Sequence, residues 1–282
     1  YQADAAVVKD YDNIWDAQLD VWHQDLEKIS QQSLFIAAQK THTPLDFVYL
    51  NDEGSSTPLE NYKVLIYPHP VMLSPERVRL LENYVAQGGI LILGCRSGYK
   101  DMTGKCVMDK LPGLLTNLTG VDIPEYTRTC PGDEPVIIHW GQERLEAPVF
   151  NDQLAAQPGR EKYTRVLGYY ENSYYAGTPA LVQNTYGKGK VYYYGSVFTE
   201  RAAEVFLEKL GVKTPYQAIL ELPECCELAV REKDGKKYYF VLNYSRENVT
   251  IRVKCPMRNL YTQAVTAGDV TVEAYGTRIF GE

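Results

Sequence analysis

The chain has 282 residues, 45% of them hydrophobic and 23% charged, with a mean hydropathy of -0.32. That composition builds one large or two modest globular cores, and no apolar run approaches the ~20 residues that span a bilayer. The net charge of -7 divides into +1 from Glu224 onward and -8 before it, so neither part has the basic footprint of a nucleic-acid binder.

In chain order, residues 5–9 read as a buried strand and DYDNIWDAQLDVWHQD as a polar, aromatic-rich loop. Residues 23–41 read as a helix, with Leu26, Ile29, Ser33, Leu34 and Ala37 near one face. A second strand follows Pro44 over residues 45–50, and NDEGSSTPLENY is a punctuated loop. Residues 63–67 form a third strand, which Pro68 ends. Ser74-Pro75-Glu76 starts a helix with an N-cap, a proline at the first helical position and an acid in the first turn. Val78, Leu81 and Val85 continue its apolar spacing, and Gly88-Gly89 stops it. Ile90–Leu93 is uniformly apolar, as a central parallel strand should be. This alternation predicts a parallel sheet covered on both faces, with loops 10–22, 68–73 and 94–101 along one edge.

Farther on, MDKLPGLLTNLTG predicts a short helix, PVIIHW a strand and EAPVFNDQ another. TPALVQNTYGKGKVYYYGSVF predicts a hairpin closed over residues 186–189. Its glycine-rich turn lacks the G-x-x-x-x-G-K-[ST] order of a phosphate loop and joins two strands, not a strand to a helix. TERAAEVFLEKLGV is a helix opened at Thr199 and stopped at Gly211, and KTPYQAILELPE is a connector. From Cys225 short strands dominate, and the turn Lys233-Asp234-Gly235-Lys236 carries a hairpin signal. These strands predict a small antiparallel sandwich or barrel.

Chemistry is sparse. The six cysteines, at 95, 106, 130, 225, 226 and 255, include no C-x-x-C and no zinc spacing. They read as free thiols of a reducing cytosol, which predicts a cytoplasmic protein with no metal and no cofactor. Cys95 sits where a strand-to-turn nucleophile would, in Gly94-Cys95-Arg96-Ser97-Gly98. The cysteine comes one place early relative to the G-x-C-x-G of amidotransferases. A thiol enzyme would need a base, for which His69 and His139 are the candidates. In loop 10–22, Tyr11, Asp12, Trp15 and Trp22 set two tryptophans in a polar stretch, which predicts a subunit contact or packing on the domain itself. Arg96, Lys100 and Asp101 could bind an anion, orient a substrate or pair with a neighbouring chain. The 23 tyrosines against 7 phenylalanines suit interfaces or a sugar-binding module; as a plainer account, they fill strands.

The order of segments resembles the C-terminal part of family 42 glycoside hydrolases, the bacterial β-galactosidases. VVKDYDNIW resembles the opening of that family's middle domain, and NYKVLIYPHPVMLSPERVRLLENYVAQGGILILGCRSGYKD its next stretch. There the family shows an Arg-(Ser/Thr)-Gly-x-Lys pattern, matched at Arg96 to Lys100. YYAGTPALVQNTYGKGKVYYYGS resembles its late hairpin, and LAVREKDGKKYYFVLNYSRENVTIRV with VEAYGTRIF its small C-terminal β domain. The resemblance implies a flavodoxin-like, class I glutamine-amidotransferase-like doubly wound α/β sheet that mediates trimer formation, then a small all-β antiparallel domain. It implies a homotrimer, with catalysis by two glutamates on a (β/α)8 barrel upstream of Tyr1. The chain, which opens at Tyr1 beside its first strand, is expected to be cut from something longer. The expected division is an α/β trimerisation domain over 1–213, a linker over 214–223 and a β-sandwich domain over 224–282. On this reading the chain is a non-catalytic accessory region of an enzyme that hydrolyses terminal β-galactosides.

Overall fold

The structure, a computed structural model, describes residues 1–212 and 215–282. The expected boundary between 213 and 214 lies outside the described residues. In chain order the elements are β1 (Ala5–Lys9), α1 (Tyr11–Leu19), α2 (Leu26–Lys40), β2 (Leu45–Asn51), β3 (Gly54–Ser55), β4 (Val64–Tyr67), α3 (Pro75–Ala86), β5 (Ile90–Leu93) and α4 (Thr116–Thr119). There follow β6 (Val121–Arg128), β7 (Ile137–Trp140), β8 (Glu143–Glu146), β9 (Phe150–Ala156), β10 (Thr164–Tyr170), β11 (Pro179–Tyr186), β12 (Gly189–Tyr194) and α5 (Glu200–Lys209). The last strands are β13 (Leu220–Glu221), β14 (Cys226–Lys233), β15 (Lys236–Asn243), β16 (Val249–Asn259), β17 (Val265–Val272) and β18 (Thr277–Gly281). The chain divides into two compact units, one of Ala6–Leu34 with Phe47–Ala202, the other of Tyr1–Ala5, Phe35–Asp46 and Ala203–Glu282.

The larger unit is built on a ten-stranded mixed sheet in the order β3-β2-β1-β4-β5-β12-β11-β10-β7-β8. At its centre β4, β5 and β12 run parallel, with Val64 opposite Ile90 and Ile90 opposite Lys190. Every residue of β4 is buried, as is every residue of β5 after Ile90. Strands covered on both faces need such continuous apolar sequence. Beyond β12 the sheet turns antiparallel through β11, β10, β7 and β8. The expected hairpin is β11 and β12, in register from Leu181 opposite Tyr194 to Tyr186 opposite Gly189. Strands β6 and β9 form a separate two-stranded ribbon.

Helix α3 starts as its sequence requires: Ser74 Oγ accepts the Arg77 amide at 3.1 Å, and Pro75 opens the first turn. It ends at Ala86 with Gln87 as its C-cap, followed by Gly88, whose φ of 123° suits glycine. One expectation is corrected: residues 11–19 are helix, not loop. Asp10 is the N-cap, accepting the Asp12 amide at 2.9 Å and the Asn13 amide at 3.4 Å. Tyr11, Ile14, Trp15 and Leu19 do fall at helical spacing, but Tyr11, Trp15 and Leu19 are exposed and the buried positions are Asn13 and Ala17, so the apolar stripe does not mark the buried face.

In the other unit, β13-β16-β18-β15-β14 pair antiparallel, with β17 on β16, in one six-stranded sheet. All of the strands run antiparallel, as expected of a small all-β domain, and hydrogen bonds link them continuously. The register of β16 against β17 slips between Val253 and Met257, and beyond that slip Arg258 and Asn259 pair with β18. Such an irregularity bends a strand and lets it serve two neighbours. Leu228, Val230, Tyr239, Val241, Ile251, Val253 and Phe280 form its core.

Candidate functional site

The segments after β1, β4 and β5 meet at one edge of the large sheet. Backbone hydrogen bonds zip the last two together: the Gly98 amide donates to Pro70 O and the Lys100 amide to Val71 O, both at 2.8 Å. Asn13 of α1 joins them, its Oδ1 accepting the Met72 amide at 2.8 Å and its Nδ2 donating to Met72 O at 3.0 Å.

The turn after β5 has the geometry of a nucleophile elbow, but Cys95 is not its apex. Arg96 carries the left-handed backbone, with φ of 61°. It thus stands at the position of the central cysteine in G-x-C-x-G. Gly94 is required one step earlier, because a Cβ there would lie 2.2 Å from Pro68 O. Cys95 is 0% exposed, and burial, with Asp152 nearby, pushes its thiol well above the ordinary value. His69 Nδ1 lies 3.7 Å from Cys95 Sγ and 2.8 Å from Cys95 O. A carbonyl only accepts, so Nδ1 carries the proton and Nε2 accepts from Ser30 Oγ at 2.7 Å. Ser30 Oγ in turn accepts the Phe198 amide at 2.9 Å. Burial lowers the His69 pKa to about 3. Its one basic nitrogen therefore faces Ser30, not the thiol. His139 lies on β7, four strands from β5 and so ~19 Å away; its Nε2 is 2.7 Å from Glu171 Oε2. The catalytic reading of Cys95, His69 and His139 is corrected on these grounds.

Around the elbow lies a charged network that sequence reasoning reached only in part. The Arg96 guanidinium is buried, 5.4 Å from the ring centres of Tyr99 and Phe150, with Nη2 3.0 Å from Asp20 Oδ2. Lys100 Nζ donates to Asp16 Oδ1 at 2.7 Å and Oδ2 at 3.0 Å, and lies 2.7 Å from Asp20 Oδ2. Burial pushes the Asp16 carboxyl up, but hydrogen bonds from His23 and Lys100 outweigh it and hold it below the ordinary value. Asp20 is held low in the same way by Lys100, the Trp22 amide and Arg96 against burial. Asp152 is fully buried and accepts from the Tyr99 and Tyr193 hydroxyls and the Arg96 amide. Burial wins there, raising its pKa to about 6.

A second cluster anchors the start of α1. Arg77 Nη1 meets Asp10 Oδ2 at 2.7 Å, Nη2 pairs with Asp12, and Nε lies 2.8 Å from Asp52 Oδ1. The Tyr67 hydroxyl donates to Asp10. Asp101 belongs to neither cluster: it caps its own turn, accepting from the Thr103 amide and hydroxyl.

Outside this charged layer the edge is aromatic. Trp15 is 59% exposed, Trp22 47% and Leu19 87%, with Val21 exposed beside them. Tyr11 stacks on Tyr49 at 5.4 Å and 9°, in an open cleft also lined by Asp12, Trp15, Asn51 and Glu53. The Arg128 guanidinium sits 5.9 Å over the Trp22 ring and donates to Val21 O at 2.7 Å. Sequence reasoning missed Asp10, Asp16, Asp20, Arg77 and Asp152. The Asp10 N-cap ahead of Asp12 was a local signal for the first; the others become visible only when distant segments meet. Many tyrosines pack inside: Tyr67, Tyr170, Tyr193, Tyr194 and Tyr239 are fully buried, which removes them from any sugar-facing cluster. Among the described residues no group of three or more His, Cys, Asp or Glu side chains could hold a metal ion, and no helix is long and apolar enough to cross a membrane.

A buried elbow thus lies under an exposed aromatic edge in one unit, and the other unit is built on an antiparallel sheet. The profile of the β-galactosidase trimerisation domain matches residues 3–215, and that of the β-galactosidase C-terminal domain residues 226–282. The chain belongs to the family 42 glycoside hydrolases, whose trimerisation and C-terminal domains it carries. It is 28% identical to β-galactosidase Pbg of Clostridium perfringens, over 97% of this chain and 40% of that protein. To β-galactosidase BglY of Alicyclobacillus acidocaldarius it is 26% identical, over 99% of this chain and 41% of that protein. The solved β-galactosidase of Bacillus circulans sp. alkalophilus superposes with a TM-score of 0.85 and 26% identity, covering 100% of this chain and 41% of that one. The chain thus spans about 40% of the length of these relatives.

Proposed function

We propose that this chain is the assembly region of a homotrimeric, bacterial, cytoplasmic β-galactosidase. The hydrolysis of terminal β-galactosides is assigned to two glutamates on a (β/α)8 barrel outside this sequence. The observation that carries the reading is the aromatic edge of Tyr11, Trp15, Leu19, Val21 and Trp22, in a chain whose family profile is a trimerisation domain. Aromatic side chains at such density on a rigid support are what subunit interfaces select. In a closed trimer each contact is heterologous, so this edge supplies one of two different patches. Free cysteines support the cytoplasmic placement.

The α/β portion is assigned a flavodoxin-like, amidotransferase-like fold. The order β2-β1-β4-β5-β12 supports this, being the 2-1-3-4-5 order of doubly wound sheets. The division into 1–213, a linker over 214–223 and a β domain over 224–282 goes with the same proposal. Sedimentation of the intact polypeptide that carries this region, with and without Trp15→Ala and Trp22→Ala, tests it. A trimer that the double substitution loosens by at least about tenfold supports the edge as a contact; an unchanged trimer removes that role.

A further inference from the structure

We propose that Lys100, Arg96 and Asp20 form a positioning clamp that sets the orientation of the aromatic edge, so that the elbow after β5 serves assembly and not catalysis. This rests on the subunit-contact reading above. Helix α1 is nine residues long, and its last turn contains no basic residue. Asp16 and Asp20 instead place two negative charges at the end where the helix dipole is also negative. So short a helix, with its terminal charges reversed, does not hold its own C-terminus. The missing cations come from the elbow. Lys100 Nζ bridges Asp16 and Asp20 at 2.7 Å each, and Arg96 Nη2 reaches Asp20 at 3.0 Å.

One carboxylate joins the two cations to the Trp22 backbone. Asp20 Oδ2 faces both cations, while Asp20 Oδ1 accepts the Trp22 amide at 2.7 Å. The clamp is itself held rigidly. The Arg96 amide donates to buried Asp152 at 2.8 Å, and the guanidinium is flanked by Tyr99 and Phe150. Phe150 also meets the Trp22 ring edge-on at 6.4 Å. Arg96 and Lys100 act through Asp16 and Asp20 on the backbone that carries Trp15, Leu19, Val21 and Trp22.

The test is a double-mutant cycle on the monomer–trimer equilibrium of the intact polypeptide, read by sedimentation equilibrium. Lys100→Met is expected to weaken assembly about tenfold, and Lys100→Arg to restore most of it. Asp20→Asn, which keeps the shape at Trp22 but removes the charge, is expected to act like Lys100→Met and serves if that variant does not fold. In a Trp15→Ala, Trp22→Ala background either change should weaken assembly clearly less than it does in the unsubstituted chain. Additive losses, or full assembly of Lys100→Met and Asp20→Asn while Trp22→Ala weakens it, overturn the clamp and leave the contact surface standing. If Trp22→Ala and Trp15→Ala also leave the trimer unchanged, the surface reading fails and the clamp with it.

Discussion

Cys95 and Arg96 divide between them what a nucleophile elbow normally gives to one residue. The thiol takes the buried place at the end of β5, and the guanidinium takes the left-handed turn. A one-residue offset in sequence thus replaces a nucleophile with a cation. Elsewhere single residues set the response to pH. Glu27 is 6% exposed, and its Oε2 has no hydrogen-bond partner among the described residues. Burial, reinforced by Asp10, raises its pKa from 4.5 to about 8. The folded state therefore keeps this proton where the unfolded chain has lost it. Stability from this group is present below pH 4.5 and falls as the pH rises to about 8, where the full penalty applies. Glu27→Gln should flatten that slope and stabilise the protein by about 3 kcal/mol at pH 8, measured by urea denaturation across the pH range. An unchanged slope would mean that Glu27 is solvated in solution.

At the scale of elements, legibility followed locality. Helix α3 was readable because Ser74, Pro75 and Gly88 each act within a turn of their position. Ser74→Ala should cost about 1 kcal/mol for the lost cap, at unchanged denaturant slope. It also strips Asp52 of its 2.7 Å bond from Ser74 Oγ. Strand β5 and the β11–β12 hairpin were readable because burial on both faces and a glycine turn leave direct marks. Helix α1 was not, since Asn13 and Asp16 are poor helix formers and what stabilises them comes from Met72 and Lys100, far away in sequence. The same holds for the site. Arg96 and Lys100 could be picked from their loop, but their partners Asp16, Asp20 and Asp152 could not. Of β16, residues 248–254 were readable as a strand and only the extension past Lys254 escaped, although Pro256, inside the slip between Val253 and Met257, was a mark of the irregularity.

At the scale of the molecule, the consequence of assembly is mass action. If the native chain associates through the aromatic edge, its melting temperature must rise with protein concentration, because only the folded state forms the trimer. Calorimetry over a roughly hundredfold concentration range should show this rise, and the Trp15→Ala, Trp22→Ala variant should lose it. A melting temperature independent of concentration in the unsubstituted protein would place the stability of this region within each chain alone.

The three tryptophans give the molecule a built-in optical division of labour. Trp140 is enclosed on β7, whereas Trp15 and Trp22 face solvent at the contact edge, the latter beneath a guanidinium. Intrinsic emission from this region should therefore comprise a blue component from Trp140 that reports whether the sheet is intact and a red component from Trp15 and Trp22 that reports whether a neighbour has arrived. Selective quenching by iodide would silence the second without touching the first, so folding and association can be followed separately in one cuvette, without a label.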